Sequence, residues 1–233
     1  MYETFKTPPG RVVCTSALGE RVFFTVDQPK DLIQKQHLKG RFYEPDELLI
    51  MSRVFPKGGR FLDIGANIGN HLVFFGRIMQ AAHILPIEVN PRVIALLKSN
   101  IYLNGLDAVC DLSHLGKGLH SAPSDTASVR FGENNIGGGR VFSEGGDLQL
   151  VRGDDIFDSA YDLVKIDVEG LEIEVLKGME TFIRNTRPKM FVEVDEENAD
   201  AFTAWTEQNG YVVIDQFQRY RNNVNYLIVH TDT

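Results

Sequence analysis

Apolar positions along the chain change period several times, and each change marks an element. Two β-branched and aromatic runs, Arg11-Val-Val-Cys-Thr-Ser16 and Arg21-Val-Phe-Phe-Thr-Val26, flank Leu18-Gly19-Glu20 and predict a hairpin over Val12 to Val26. From Asp31 to Phe55 the apolar residues fall at mixed three and four spacings. Pro45, Asp46 and Glu47 suit a first helical turn, where a missing N–H costs nothing and the dipole favours carboxylates; that helix is expected to end before Pro56-Lys-Gly-Gly59. Alternation then begins, with a strand over 61–64, a helix from about Asn70 to Met79 and a strand over 83–88. A helix over Pro91 to Leu103 follows, with Asn90 as N-cap and Asn104-Gly105 as its stop. A third strand is expected near 108–113, a fourth at Tyr161 to Asp167, a helix from about Leu171 to Ile183, and a fifth strand at Lys189 to Val194. The last helix, Asn198 to Gln208, carries Phe202 and Trp205 at helical spacing as core residues.

This alternation predicts an α/β fold with a parallel sheet covered on both faces. Tyr211 to Phe217 and Tyr226 to His230 stand too close together for a crossover helix, so they are expected to pair antiparallel and leave the sheet mixed. Segment 114–150 breaks the rhythm: six glycines between Gly132 and Gly146, beside Val129-Arg-Phe131 and Arg140-Val-Phe142, suggest a hairpin or flexible flap. The expected organisation is an N-terminal appendage over 1–45 and one domain over 46–233 that carries the insert at 114–150.

Composition narrows the function. The 24 Lys and Arg against 32 Asp and Glu leave a net charge of -8, which repels a polyphosphate backbone and argues against nucleic-acid partners. Cys14 and Cys110 are too few and too distant for a disulfide framework or a metal knuckle, and the first residues lack a signal peptide's apolar core, so a cytoplasmic location is expected. No apolar window is long enough to span a bilayer, so no membrane partner is expected; a homo-oligomer is left open.

The chemistry starts at Phe61-Leu-Asp-Ile-Gly-Ala-Asn-Ile-Gly-Asn-His71, a strand running through a turn into a helix. Such turns offer free N–H groups and attract anions. A dinucleotide's pyrophosphate needs Gly-x-Gly-x-x-Gly, but counting from Gly65 the second and third glycine positions are Asn67 and Asn70. Asp63 and Gly69 are present instead. An acid beside an anion-binding turn suits a zwitterion such as the amino-acid end of S-adenosylmethionine, with its carboxylate on the turn amides and its ammonium facing Asp63. Glu88, at the end of the second strand, is placed to take both ribose hydroxyls, a role it would also serve for NAD. A capping role for Asp63 and a solvated strand end for Glu88 remain the bland alternatives.

Together with Glu88-Val-Asn-Pro91, Asn100-Ile-Tyr-Leu-Asn-Gly105, Val164-Lys-Ile-Asp-Val-Glu-Gly170, Glu172, Val175-Leu-Lys-Gly178 and Pro188-Lys-Met-Phe-Val-Glu193, this stretch resembles the FkbM-type S-adenosylmethionine-dependent methyltransferases over about 40–230. The resemblance implies a class I methyltransferase Rossmann-like sheet of order 3-2-1-4-5-7-6. It also implies O-methylation of a sugar, natural product or other small hydroxylated metabolite. Where the family more often has Phe-Glu-Pro, this chain has Ile-Glu-Val-Asn-Pro, which keeps Glu88.

On this reading Asp63, Gly65, Asn67, Gly69, Asn70, Glu88 and Asn90 form the cofactor site. Lys165, Asp167 and Glu169 lie at period two on one side of the fourth strand, where three charges at the end of an apolar strand are costly to bury idle. Asp167 is expected nearest the transferred methyl, with Lys165 and Glu169 orienting the acceptor; a structural Lys165–Asp167 ion pair is the alternative. His71 is a candidate general base. Tyr43 and Glu44 before the Pro45 helix, Asn134 and Asn135 in the glycine-rich segment, and Glu193 are candidate acceptor contacts. A divalent metal on Asp167, Glu169 and Glu193 is weighed but not expected, since no His accompanies them. Competing readings are an NAD-dependent oxidoreductase and a catalytically silent S-adenosylmethionine-binding protein.

Overall fold

The structure, a computed structural model, describes residue 8 and residues 10–132, 135–142 and 145–232; the side chains of 130–144 lie outside that description. An antiparallel hairpin comes first, β1 (Arg11–Ala17) and β2 (Glu20–Val26), followed by α1 (Leu32–Leu38) and α2 (Pro45–Ser52). The central elements are β3 (Arg60–Ile64), α3 (Asn70–Val73) running into a π-helical turn over Phe74–Ile78, β4 (His83–Ile87) and α4 (Pro91–Leu103). The insert supplies β5 (Lys117–Leu119), β6 (Ser124–Gly132), β7 (Asn135–Phe142) and β8 (Leu148–Val151), and α5 (Gly153–Ile156) leads back to the core. Then come β9 (Leu163–Ile166), α6 (Glu172–Gly178), α7 (Glu180–Thr186), β10 (Lys189–Asp195), a 3-10 turn over Glu196–Asn198, α8 (Ala199–Gln208), β11 (Tyr211–Phe217) and β12 (Asn223–His230).

Six strands form the main sheet in the order β11-β12-β10-β9-β3-β4, parallel from β10 to β4 and antiparallel where β12 joins β10 and β11. This is the expected α/β Rossmann-like methyltransferase sheet with an antiparallel C-terminal edge. One expected strand is nearly absent: near 108–113 the chain makes a single parallel bridge, Ile84 with Cys110, and then turns away. Asp111 drives the turn by accepting from the Ser113 amide, so the outermost strand has no room to extend.

The strand period sorts the core. Phe61, Leu163 and Phe191 face one apolar cluster with Leu48, Met51 and Phe75. Leu62, Val164 and Met190 face the other with Leu176, Phe182 and Trp205. Phe202 also belongs to that second cluster, as its spacing predicts. Continuing the first series, Asp63 and Lys165 stand side by side in register, and Glu193 follows two residues after Phe191. The topology therefore delivers charged side chains to one face at the carboxyl ends of three neighbouring strands.

Two helices differ from their expected form. The helix expected over 171–183 is broken at Met179, whose backbone (φ -126, ψ 28) leaves the helical region. Asp154 then caps the new helix start by accepting from the amides of Thr181 and Phe182, which makes the break a built junction. The helix after β3 switches to π geometry, with Met79 N–H bonding to Phe74 O at 3.2 Å, because one extra residue is accommodated there.

The N-terminal hairpin is fastened to α4 by that helix's polar side chains. Asn100 Oδ1 accepts from the Thr25 amide at 2.7 Å, Asn104 Oδ1 from the Phe23 amide at 3.0 Å, and the Thr25 and Ser99 hydroxyls meet at 2.7 Å. Asn100 also donates to Ile68 O at 2.7 Å, joining the hairpin to the turn after β3. In the insert, β6 and β7 pair as a hairpin within a four-stranded sheet of order β5-β8-β6-β7.

Candidate functional site

A cavity of about 280 Å³ opens over the carboxyl ends of β3, β4, β9 and β10, where ligands lie in open α/β sheets. Its walls combine the turn after β3, Glu88, Lys165 and Asp167 with Tyr43, Glu44 and the loop between β11 and β12.

The turn after β3 is closed upon itself. Gly65 and Ala66 amides both donate to Ile87 O at 3.0 Å, Asn67 N donates to Glu88 Oε2 at 2.9 Å, Ile68 N to Asn67 Oδ1 at 2.8 Å, and Gly69 N to Ala66 O at 2.9 Å. The expectation that these amides are free for a ligand carboxylate is therefore corrected: each already has an internal acceptor. Gly65 has a reason of its own. Its φ is +80, and a Cβ there would lie 1.8 Å from the Asp167 carbonyl oxygen, so β3 and the end of β9 approach more closely than any side chain allows. Asn67 adopts a left-handed backbone (φ 49), which its own side chain steadies.

Glu88 is the anion that this turn holds. Besides Asn67 N, its carboxylate accepts from the Val89 amide at 2.8 Å and the Asn90 amide at 2.9 Å. Burial raises its pKa, and these backbone bonds pull against that rise. It still borders the cavity, and a carboxylate has about four acceptor positions, so capacity remains for a ligand hydroxyl. Asn90 itself lies outside the lining and caps α4 by accepting from Arg92 N at 3.1 Å.

Asp63 lies below the cavity floor rather than in its wall. It is fully buried, and among the described residues neither carboxylate oxygen finds a hydrogen-bond partner. Its nearest charge is Lys165 Nζ at 3.7 Å, and burial pushes its pKa up to about 6 despite that neighbour. The expectation that it faces a ligand ammonium is thus corrected, because Lys165, its register partner on β9, stands in that place. Lys165 Nζ also donates to Asp167 Oδ2 at 3.0 Å and Gly65 O at 3.3 Å. Burial alone would lower its pKa, but Asp167 and Asp63 outweigh it and hold the ammonium above its usual value.

The opposite wall comes from distant segments. Asn70, at the start of α3, accepts from the Tyr43 amide at 2.8 Å, donates to Tyr43 O at 2.9 Å and meets His37 Nε2 at 3.1 Å, so its amide pins the segment before α2. Tyr43 hydroxyl contacts Tyr220 hydroxyl at 2.8 Å. Glu44 sits in a left-handed backbone (φ 55) with its carboxyl turned inward; burial and the nearby Asp167 push its pKa up to about 8. His71 Nε2 lies 3.7 Å from Glu44 Oε2 and has no hydrogen-bond partner among the described residues. Burial, reinforced by Lys165, keeps its pKa well below the usual imidazole value. Glu193 accepts from Asn223 Nδ2 at 2.8 Å, and burial together with Asp167 and Glu44 pushes its pKa upward. Glu169 borders the cavity from the bend after β9, in a left-handed backbone (φ 48). Asn134 lies outside the described residues, as does the side chain of Asn135.

Sequence reading missed His37, Tyr220, Asn223 and the pair of Arg219 with Glu47. Arg219 grips the buried Glu47 with two bonds of 2.9 and 2.6 Å, tying the β11–β12 loop to α2 beside the cavity. The available signal was an acid, Glu47, directly before the apolar run Leu48-Leu-Ile-Met51, which suggests a partner without naming it.

The sequence profile described as "Methyltransferase FkbM domain" matches residues 63–219, which takes in the turn, Glu88, Lys165 and Glu193. The chain belongs to the FkbM methyltransferase family. Among curated proteins it is similar to the hexuronic acid methyltransferase AglP of Haloferax volcanii, with 28% identity over 169 residues. That match spans 69% of this chain and 65% of AglP, slightly less than two thirds of the relative. Among solved structures, an uncharacterized Listeria monocytogenes protein aligns with a TM-score of 0.55 at 15% identity, over 82% of this chain and 70% of that one. An FkbM methyltransferase from Methylobacillus flagellatus aligns with a TM-score of 0.54 at 17% identity, over 74% and 44% of the two chains. At these identities the solved structures bear on the fold alone. Among the described residues of this FkbM-family chain, no helix is long and apolar enough to cross a membrane.

Proposed function

We propose that this FkbM-family protein transfers a methyl group from S-adenosylmethionine to a hydroxyl of a small acceptor, with a sugar favoured by the similarity to AglP. The observation that carries this reading is Glu88: its carboxylate is fixed by three backbone amides at the end of β4, yet it faces the cavity with acceptor capacity left for a ribose. The donor set fits the cofactor in a second way. A sulfonium is cationic, and the cavity wall is rich in carboxyl groups. When bound, S-adenosylmethionine supplies an activated methyl, so the protein needs to align the acceptor and receive one proton.

Gly65, Asn67, Gly69 and Asn70 shape the turn that bears against the cofactor, and Asn90 fixes the helix behind Glu88. Asp63 acts from below by holding Lys165, which in turn fixes Asp167 beside the reacting centre. His71, kept neutral by burial, offers an unpartnered Nε2 that can take the acceptor's proton. Tyr43, Glu44, Glu169 and Glu193 line the acceptor side, with Asn134 and Asn135 as further candidates from the insert. Residues 1–45 serve as an accessory segment over the 46–233 domain.

Calorimetric titration with S-adenosylmethionine and with NAD tests the cofactor, and release of S-adenosylhomocysteine on adding an acceptor pool tests transfer. Tight NAD binding without S-adenosylmethionine binding would sink the proposal.

A further inference from the structure

The cavity gathers more carboxyl groups than its own cation can pair. Six carboxyl side chains border it: Asp31, Glu44, Glu88, Asp167, Glu169 and Glu193. Asp31 and Glu88 are occupied by backbone amides and Asp167 by Lys165. Among the described lining residues Lys165 is the one fixed positive charge, and it is shared between Asp167 and the buried Asp63. Among the described residues, Glu44 just before α2 and Glu193 on β10 face this space with no lysine or arginine in bonding range, and Glu193 accepts from the side-chain amides of Asn223 and Asn225. Arg219, which ties the β11–β12 loop to α2, is committed to Glu47.

A second observation points independently to a ligand. His71 is 6% exposed, borders the cavity, and its Nε2 finds no hydrogen-bond partner among the described residues. A buried ring nitrogen without a partner is costly unless something polar meets it.

We propose that Glu44 and Glu193, beside His71, form a cation subsite for a protonated amine carried by the acceptor next to its reacting hydroxyl. This rests on the methyl-transfer reading and narrows its acceptor to amine-bearing polyols such as amino sugars. An ammonium donates hydrogen bonds that match acceptor-only carboxylates, and it lacks a lone pair, so the methyl goes to the adjacent oxygen. Burial and then the neighbouring Asp167 raise the pKa of Glu44 and Glu193, and an ammonium placed between them favours their charged forms. A sugar acid would instead bring a further carboxylate against this wall.

The test titrates protein loaded with S-adenosylhomocysteine, by calorimetry at low salt, with glucosamine, N-acetylglucosamine and glucuronate. Glucosamine is expected to bind at least about tenfold more tightly than its neutral N-acetyl form, with glucuronate weakest, since tenfold corresponds to one modest charge interaction. Glu193→Gln is expected to remove that preference while affinity for S-adenosylhomocysteine persists; if this variant does not fold, Glu44→Gln carries the same expectation. Equal affinities, a preference for glucuronate, or no glucosamine binding to the loaded protein overturns the cation subsite and leaves the methyl-transfer reading intact. Failure of S-adenosylhomocysteine itself to bind overturns both.

Discussion

Glu88 and Glu193 both stand towards the carboxyl ends of strands in one sheet, and the structure surrounds them in opposite ways. Glu88 accepts from three backbone amides, two in the loop that follows it and one at Asn67 in the turn after β3, so its charge is met by main chain. Glu193 is met by two side-chain amides from β12 and faces Asp167 and Glu44, so its charge is opposed rather than met. The Glu88 side of the cavity is a finished internal network, whereas the Glu193 side holds acids in tension. A satisfied wall keeps its shape when empty. A wall of opposed carboxyls changes its protonation and its energy with whatever enters.

That contrast can be broken most forcefully at its hinge, Lys165. Lys165→Met leaves the buried Asp63 and the half-buried Asp167 without their cation and is expected to destabilise the fold by about 3 to 5 kcal/mol, measured by denaturant unfolding. A loss below about 1 kcal/mol would mean that the two acids find other partners.

Gly65→Ala probes the finished side. The added carbon meets the Asp167 carbonyl at 1.8 Å in a left-handed backbone, and a loss of about 3 kcal/mol is expected, with β3 and β9 forced apart. Unchanged thermal stability would show that this crossing is looser than it is drawn.

Glu88→Ala is expected to weaken S-adenosylmethionine binding by about 1 to 3 kcal/mol, read by calorimetry. It also strips three amides of their acceptor, so a lower melting temperature should accompany the weaker binding. A folded variant with unchanged affinity would place the ribose elsewhere.

The smallest effect is a pH slope from the opposed side. Glu44 has its pKa raised from the ordinary 4.5 to about 8, so between those values the folded protein keeps a proton that the unfolded chain has released. Folding stability is therefore full below this window and falls as pH rises through it, by at most about 1.4 kcal/mol per unit. Glu44→Gln should flatten the slope in a series of unfolding curves, and a slope of the opposite sign would contradict the assignment.

What was legible in the chain follows the range of the forces involved. The strand, turn and helix from Phe61 to His71, the position of Glu88 and the antiparallel return of β11 and β12 could be read because period, glycine placement and linker length act over a few residues. The lost third strand and the break at Met179 could not. Each depends on a side chain elsewhere or on a turn that competes with the ladder: Asp111 at the first, and Asp154 reaching α7 at the second. The candidate site divides in the same way. Asp63 was found but misplaced, since the sequence gives its strand position and not the fact that Lys165 covers it. Arg219 and Glu47 lie 172 residues apart and meet through the β11–β12 loop, which no local pattern announces.

The sequence by itself determined the alternating α/β order, the turn with Asn67 and Asn70 at two glycine positions of the dinucleotide pattern, and the acid that ends the second strand, because backbone preference and side-chain period are local properties. Only the tertiary structure decided that the turn's amides are already paired, that Lys165 stands between Asp63 and the cavity, and that Glu44, His71 and Glu193 share one wall. Hydrogen-bond capacity is consumed by whichever partner arrives, and a carboxyl's charge depends on its burial and neighbours, so both are settled only when distant segments come together.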